Sequence, residues 1–153
     1  KNEMKKVWFS LLAACACMMF SCNSKKSVSV GDLEGEWIIS EVDGAPVTSS
    51  GDMPAPFIGF NLDEGRLYGN SGCNLMMGAF SVDSLNPGVI ILGPVATTQM
   101  ACPDMETEGK VLGALNKVKS FEDAGKGRIA LCDENGSQVI ILTRKTEKDS
   151  TAQ

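Results

Sequence analysis

The chain has 153 residues, 43% hydrophobic and 22% charged, which gives room for one folded domain and excludes wholesale disorder. Its 14 basic against 19 acidic residues leave a formal net charge of −5, which speaks against nucleic acid as a partner. There is no histidine, so the Ser-His-Asp and Cys-His nucleophile arrangements, the usual general base and the commonest zinc ligand are all missing.

At the start, Lys5 and Lys6 follow Met4, Val7 to Phe20 carry no charge, and Ser21-Cys22 leads into polar Asn23-Ser24-Lys25-Lys26. That is the order of an export signal, and the uncharged stretch is shorter than the about 20 apolar residues that span a bilayer. A lipoprotein signal places a small residue just before the cysteine that is acylated, as Ser21 stands before Cys22. Residues 1–21 therefore read as a lipoprotein signal peptide and Cys22 as the lipidation site. Its palmitate-type chains would hold the domain to the lipid bilayer of the cell envelope, in the periplasm or at the outer membrane. Leu12-Ala13-Ala14-Cys15 is an alternative signal, although acylation at Cys15 leaves a short apolar region and an exposed Cys17, Met18, Met19 and Phe20. An ordinary cleaved secretory signal is the other alternative, and each of the three exports the domain.

Residues 22–32 are polar and Ser-rich, with the composition of a flexible tether, and the domain is expected over 33–144. Gly35 to Val42 is rich in β-branched and aromatic residues and stops at Asp43-Gly44, a strand ended by a turn. Phe57 to Asn61 and Arg66 to Asn70 flank the acidic turn Asp63-Glu64-Gly65 as a hairpin. Gly78 to Val82 alternates, Asn86-Pro87-Gly88 turns the chain, and Val89 to Leu92 is a short apolar run.

Between Pro103 and Lys119 the period changes to that of a helix, with Met105, Val111, Leu112, Leu115 and Val118 on one stripe. Pro103 suits the first helical position, Asp104, Glu106 and Glu108 suit the positive end of the helix dipole, and Lys117 and Lys119 the other end. Segments near Phe121, from Arg128 to Cys132 and from Gln138 to Thr143, separated by Gly-containing turns, give three closing strands. The predicted fold is mainly β, of the α+β kind: a curled antiparallel sheet or open barrel of about eight strands with one capping helix. Residues 145–153 read as a disordered tail.

The carboxylate pairs Asp63/Glu64 and Asp133/Glu134 sit in turns beside glycine, where exposure leaves little to make them an acid and a base. Gly125-Lys126-Gly127 lacks the spacing and the following helix of a phosphate loop, and no acidic turn has the ligand spacing of a calcium loop. No cofactor and no metal are expected. With Cys22 acylated, Cys73, Cys102 and Cys132 are left to the domain, without CxxC spacing. Cys73 and Cys102 fall in irregular segments able to meet; in an oxidising compartment a bridge between them closes a loop of about 30 residues and contributes about 3.6 kcal/mol in the chain-entropy model. Cys132 is then a buried thiol in a strand; alternatively all three are reduced core residues.

Gly69-Asn70-Ser71-Gly72-Cys73-Asn74 followed by Met76-Met77-Gly78, with Thr97-Thr98-Gln99-Met100-Ala101-Cys102 leading into a helix, resembles the META domain family, also called HslJ-like. Gly35-Glu36-Trp37, Val42-Asp43-Gly44, Phe57-Ile58-Gly59-Phe60 and Val139 to Leu142 extend the likeness over about residues 33 to 144. The resemblance implies a small, mostly antiparallel domain with one helix, often exported or lipid-anchored and loosely tied to envelope stress, with no established enzyme activity.

Two physical readings fit the signature. In one, Gly72 permits a tight or left-handed turn while Asn74 and Thr98 satisfy loop amides across one corner of the sheet. In the other, Asn70, Ser71, Asn74, Thr97 and Thr98 line a small polar recess for a ligand or partner, with Met76, Met77 and Met100 as its apolar wall. The function expected is that of a non-enzymatic, monomeric envelope lipoprotein that binds or stabilises an envelope protein or small ligand. The alternative is a periplasmic inhibitor that docks the Val47–Pro56 loop into a secreted hydrolase or protease.

Overall fold

The computed structural model describes residues 28–49, 53–103 and 105–146. The expected signal peptide, the expected lipidation site Cys22, most of the expected tether and the last residues of the expected tail lie outside them. A 3-10 turn, η1 (Val30–Leu33), precedes β1 (Gly35–Val42) and the two-residue β2 (Ala45–Pro46). Then come β3 (Phe57–Asn61), β4 (Arg66–Asn70), β5 (Leu75–Val82), β6 (Ile90–Leu92) and β7 (Ala96–Thr97). Helix α1 (Glu106–Leu115) is followed by β8 (Ser120–Gly125), β9 (Arg128–Cys132) and β10 (Gln138–Arg144).

Eight of the strands run β6-β5-β4-β3-β1-β10-β9-β8, each antiparallel to its neighbour, while β2 adds to β1 and β7 to β5. The two ends of this path meet. Val89 and Ser120 form a β-bridge, Ile90 N donates to Lys119 O at 3.1 Å, and Phe121 N donates to Gly88 O at 2.7 Å. The result is a nearly closed up-and-down barrel with one helix, as the sequence predicts; β2 and β7 are additions too short to leave a periodic signal.

An eight-stranded barrel is just wide enough for its own side chains to fill. Trp37, Ile39, Ile58, Phe60, Leu67, Met76, Phe80, Ile129, Leu131 and Leu142 belong to one core cluster, and the Phe60 and Phe80 rings meet edge to face at 5.2 Å. On β1 the buried positions are Trp37, Ile39 and then Val42, because the pairing with β10 slips between Ile39 and Glu41. That bulge adds one residue and keeps Glu41 out of the interior.

Antiparallel alternation gives the barrel two distinct ends. At the end where β1 begins, η1 lies across the opening: Trp37 Nε1 donates to Leu33 O at 2.8 Å. The Arg144 guanidinium stacks 4.1 Å from the Trp37 ring centre and donates to the carbonyls of Asp32 and Glu34. The packed domain therefore starts before Leu33, since Ser29 and Asp32 form a capping box and Val28 and Val30 pack on the core. Residues 28–32 of the expected tether are part of the fold. Lys145, placed in the tail by the sequence reading, also belongs to it, with its ammonium 2.7 Å from Glu36 Oε2 and 4.2 Å from the Phe57 ring centre.

The opposite end receives α1, whose Val111, Ala114 and Leu115 are buried in the main core together with Val118 just beyond it, and which lies against β1 and β10. The helix is shorter than its apolar stripe suggests. It begins at Glu106, after Pro103, and ends before Lys117 and Lys119, which therefore do not occupy its last turn. Lys117 instead reaches Asp43 at 3.2 Å. Among the described residues no helix is long and apolar enough to cross a membrane.

Candidate functional site

The signature segments converge at the α1 end of the barrel, where the β4–β5 corner meets the chain that leads into the helix. Residues 71–74 make the corner. Ser71 N donates to Asn74 O at 2.9 Å, and Asn70 Oδ1 accepts from Gly72 N at 2.7 Å. Gly72 adopts φ 124°, and a Cβ there would lie 3.2 Å from Thr107 Cγ2, so any other residue would strain the backbone and press on the first turn of α1.

Asn74 is the centre of the arrangement and is 1% exposed. Its Oδ1 accepts from Thr98 Oγ1 at 2.8 Å and from Met100 N at 2.7 Å. Its Nδ2 donates to Met100 O at 3.2 Å and to Glu108 Oε1 at 3.0 Å. The side-chain amide thus uses both lone pairs and both protons. Thr98 closes the corner by accepting from Leu75 N at 3.1 Å, while its own N donates to Leu75 O at 3.0 Å.

Glu108 is the one buried charged side chain among the described residues, at 7% exposure. Oε2 accepts from Asn74 N at 2.8 Å and lies 3.1 Å from the Ser71 hydroxyl. Burial pushes its pKa up, but the hydrogen bonds from the Asn74 side chain and backbone, Ser71 and the Cys73 backbone outweigh that and hold it below the ordinary carboxylate value. The sequence reading assigned Glu108 to the helix dipole alone. Its position accounts for its burial, since it falls three residues before Val111 and seven before Leu115 on the stripe that faces the core, whereas Met105, expected on the same stripe, is exposed.

The corner is covalently braced. Cys73 and Cys102 form a disulfide with their Cα atoms 6.0 Å apart, the pairing expected from the sequence. Cys132 lies buried in β9, outside that bridge.

Asn70, Ser71, Asn74 and Thr98 therefore come together, with Thr97 beside them in β7 opposite Met76. They form a closed knot in which Asn74 and Thr98 satisfy loop amides, the first of the two readings. None of the five lines either of the two clefts described below. The three methionines expected as a common wall do not form one: alternation along β5 buries Met76 in the core and exposes Met77, and Met100 is exposed in the segment after β7.

One cleft of about 290 Å³ lies at the η1 end, against Trp37, Asp123, Arg128 and Arg144. Another of about 210 Å³ lies between β2 and the start of α1, against Val47, Thr48, Thr107 and the Glu106–Lys110 ion pair. Asp63 and Glu64 are exposed, and Asp133 Oδ1 accepts from Asn135 N and Ser137 N in its turn. Among the described residues no group of His, Cys, Asp and Glu has the arrangement of a metal site. The tip of the Val47–Pro56 loop, residues 50–52, lies outside the described residues, so the inhibitory-loop reading falls on it without a structural description.

Comparison with known proteins agrees with this architecture. No curated protein matches the chain significantly. Two solved structures share its fold. The NMR structure of a protein from Burkholderia xenovorans is 20% identical, covers 80% of this chain and 90% of its own, and superposes with a TM-score of 0.61. The crystal structure of a DUF4847 family protein from Bacteroides vulgatus is 14% identical, covers 75% of this chain and 95% of its own, and gives a TM-score of 0.52. The family model for the META domain matches residues 31–146, which include the Gly72-Cys73-Asn74 corner, α1 and every strand of the barrel. The chain belongs to the META domain family.

Proposed function

We propose that this protein is a non-enzymatic lipoprotein of the cell envelope, anchored through Cys22 and presenting its META domain as a binding or stabilising module during envelope stress. The observation that carries the reading is the Cys73–Cys102 disulfide at the centre of the family signature. Such bridges form and persist in oxidising compartments, outside the cytoplasm. The export-signal grammar of residues 1–21 and the cysteine that follows agree with this.

The absence of catalysis in the proposal rests on chemistry. The chain has no histidine, and its buried carboxylate, Glu108, faces an amide, a hydroxyl and backbone N–H groups rather than a second carboxylate or a nucleophile. A carboxylate saturated with donors and held below its ordinary pKa is a poor general base. Its work is to join α1 to the β4–β5 corner.

The test is the intact mass of protein extracted from membranes, with and without reduction and alkylation, followed by peptide mapping. The reading expects an acylated amino-terminal Cys22 and a peptide that links Cys73 to Cys102. An unmodified Cys22 together with free thiols at Cys73 and Cys102 overturns it.

A further inference from the structure

We propose that α1 is a plug over one end of the barrel, held by a redox-sensitive latch, and that reduction of Cys73–Cys102 releases the plug while the barrel stays folded. The inference does not depend on acylation at Cys22. It rests on where the disulfide lies. The bridge joins no two barrel strands; it joins the β4–β5 corner to the segment between β7 and α1. The barrel has its own means of closure, with continuous ladders from β6 through β1 to β8 and hydrogen bonds across the Val89–Ser120 seam.

Beyond Thr98, whose N still donates to Leu75 O next to the β5–β7 pairing, the segment up to Met105 has no such ladder among its described residues. It is attached through Asn74, which holds the Met100 backbone on both sides, and through Cys102. Its outer surface is exposed at Met100, Ala101, Pro103 and Met105. Cys102 is half-buried whereas Cys73 is buried, which makes Cys102 the more accessible residue of the pair. Beneath the segment the helix contributes an apolar face, Val111, Ala114 and Leu115, to the barrel core, and lifting it uncovers both surfaces.

The chemistry is thiol–disulfide exchange with a small-molecule or protein dithiol. One reductant thiolate attacks Cys102 Sγ, the Sγ–Sγ bond breaks, and Cys73 leaves as a thiolate that takes up a proton. The second reductant thiol then displaces Cys102 from the mixed disulfide. The protein gains two electrons and two protons, and the dithiol becomes a disulfide. Loss of the cross-link restores chain entropy to the opened state and raises its population by about two orders of magnitude.

The experiment is amide hydrogen exchange followed by mass spectrometry on the full exported chain, oxidised and after treatment with dithiothreitol without denaturant, with anilinonaphthalene sulfonate fluorescence read in parallel. The expected result is an exchange rate about a hundredfold faster over residues 98–118 after reduction, unchanged protection in β1, β9 and β10, and increased dye fluorescence. The C73A/C102A double variant should show the reduced pattern without reductant; if it does not fold, the reduced wild-type chain alone decides. A disulfide that resists dithiothreitol in the native protein, α1 protection that is unchanged on reduction, or exchange that rises together over the whole barrel each overturns the latch.

Discussion

The side-chain amide of Asn74 donates to Glu108 Oε1 at 3.0 Å while the backbone N of the same residue donates to Oε2 at 2.8 Å, so one residue of the β4–β5 corner grips both oxygens of one residue in α1. Replacing Asn74 with alanine removes the amide and leaves the Met100 backbone and the Glu108 carboxylate short of partners in a buried site. We expect a loss of about 3 kcal/mol, read as a lower midpoint in urea unfolding with an unchanged slope. Asn74→Asp keeps the shape but sets a second carboxylate beside Glu108; its deficit should be larger at neutral pH and shrink on acidification.

The same pair makes stability depend on pH. Glu108 has a folded-state pKa below its unfolded value, so the proton binds the unfolded chain more readily. The resulting stabilisation is fully present above the ordinary carboxylate value of about 4.3 and is lost as pH falls through the depressed folded value. Glu108→Gln should lower stability at pH 7 and flatten the acid limb between about pH 5 and pH 3, measured by thermal unfolding across that range. An acid limb of unchanged slope would show that other carboxylates govern it.

Gly72 meets two constraints at once, a φ of 124° and the 3.2 Å approach that a Cβ would make to Thr107. Gly72→Ala should cost about 1 to 3 kcal/mol in chemical unfolding. The Thr107→Ser variant removes the methyl group that would be struck; combined with Gly72→Ala it should recover part of the loss, leaving the backbone component.

Arg144 closes the other end of the barrel by stacking on Trp37 and donating to the carbonyls around η1. Arg144→Ala should cost about 1 to 2 kcal/mol and loosen residues 29–34 selectively, seen as faster amide exchange there and altered Trp37 fluorescence. Lysine at this position keeps the charge without the planar stack and should rescue only in part.

The long strands were legible because their burial follows simple alternation. Gly35 to Val42, the Asp63-Glu64-Gly65 hairpin and the three closing strands appear with nearly the bounds that composition and turns indicate. What escaped depends on distant partners. β2 and β7 are two residues each, fixed by pairing with β1 and β5 rather than by any local pattern. The bulge after Ile39 arises from register with β10. The helix start is set by how the disulfide and Asn74 deliver the chain to the barrel end, and Pro103 does not lie within it. In the site, residue types pointed to the correct corner, and the Cys73–Cys102 pairing followed from two irregular segments. Glu108 was missed because an acidic residue in a first helical turn has an ordinary explanation, and only its place on the core-facing stripe argued otherwise.

The pairing of β1 with β10, with Trp37 opposite Arg144, joins the first and last long strands of the domain. An edge of β1 consequently has nothing to bond to until the final strand has been made and delivered. Domains dominated by such distant pairings fold slowly, because chain closure must precede any reward from contact. The barrel of this protein therefore cannot close before β10 has been made, and its closing ladder joins residues such as Ser40 and Ile141, 101 positions apart, only in the last step of its assembly.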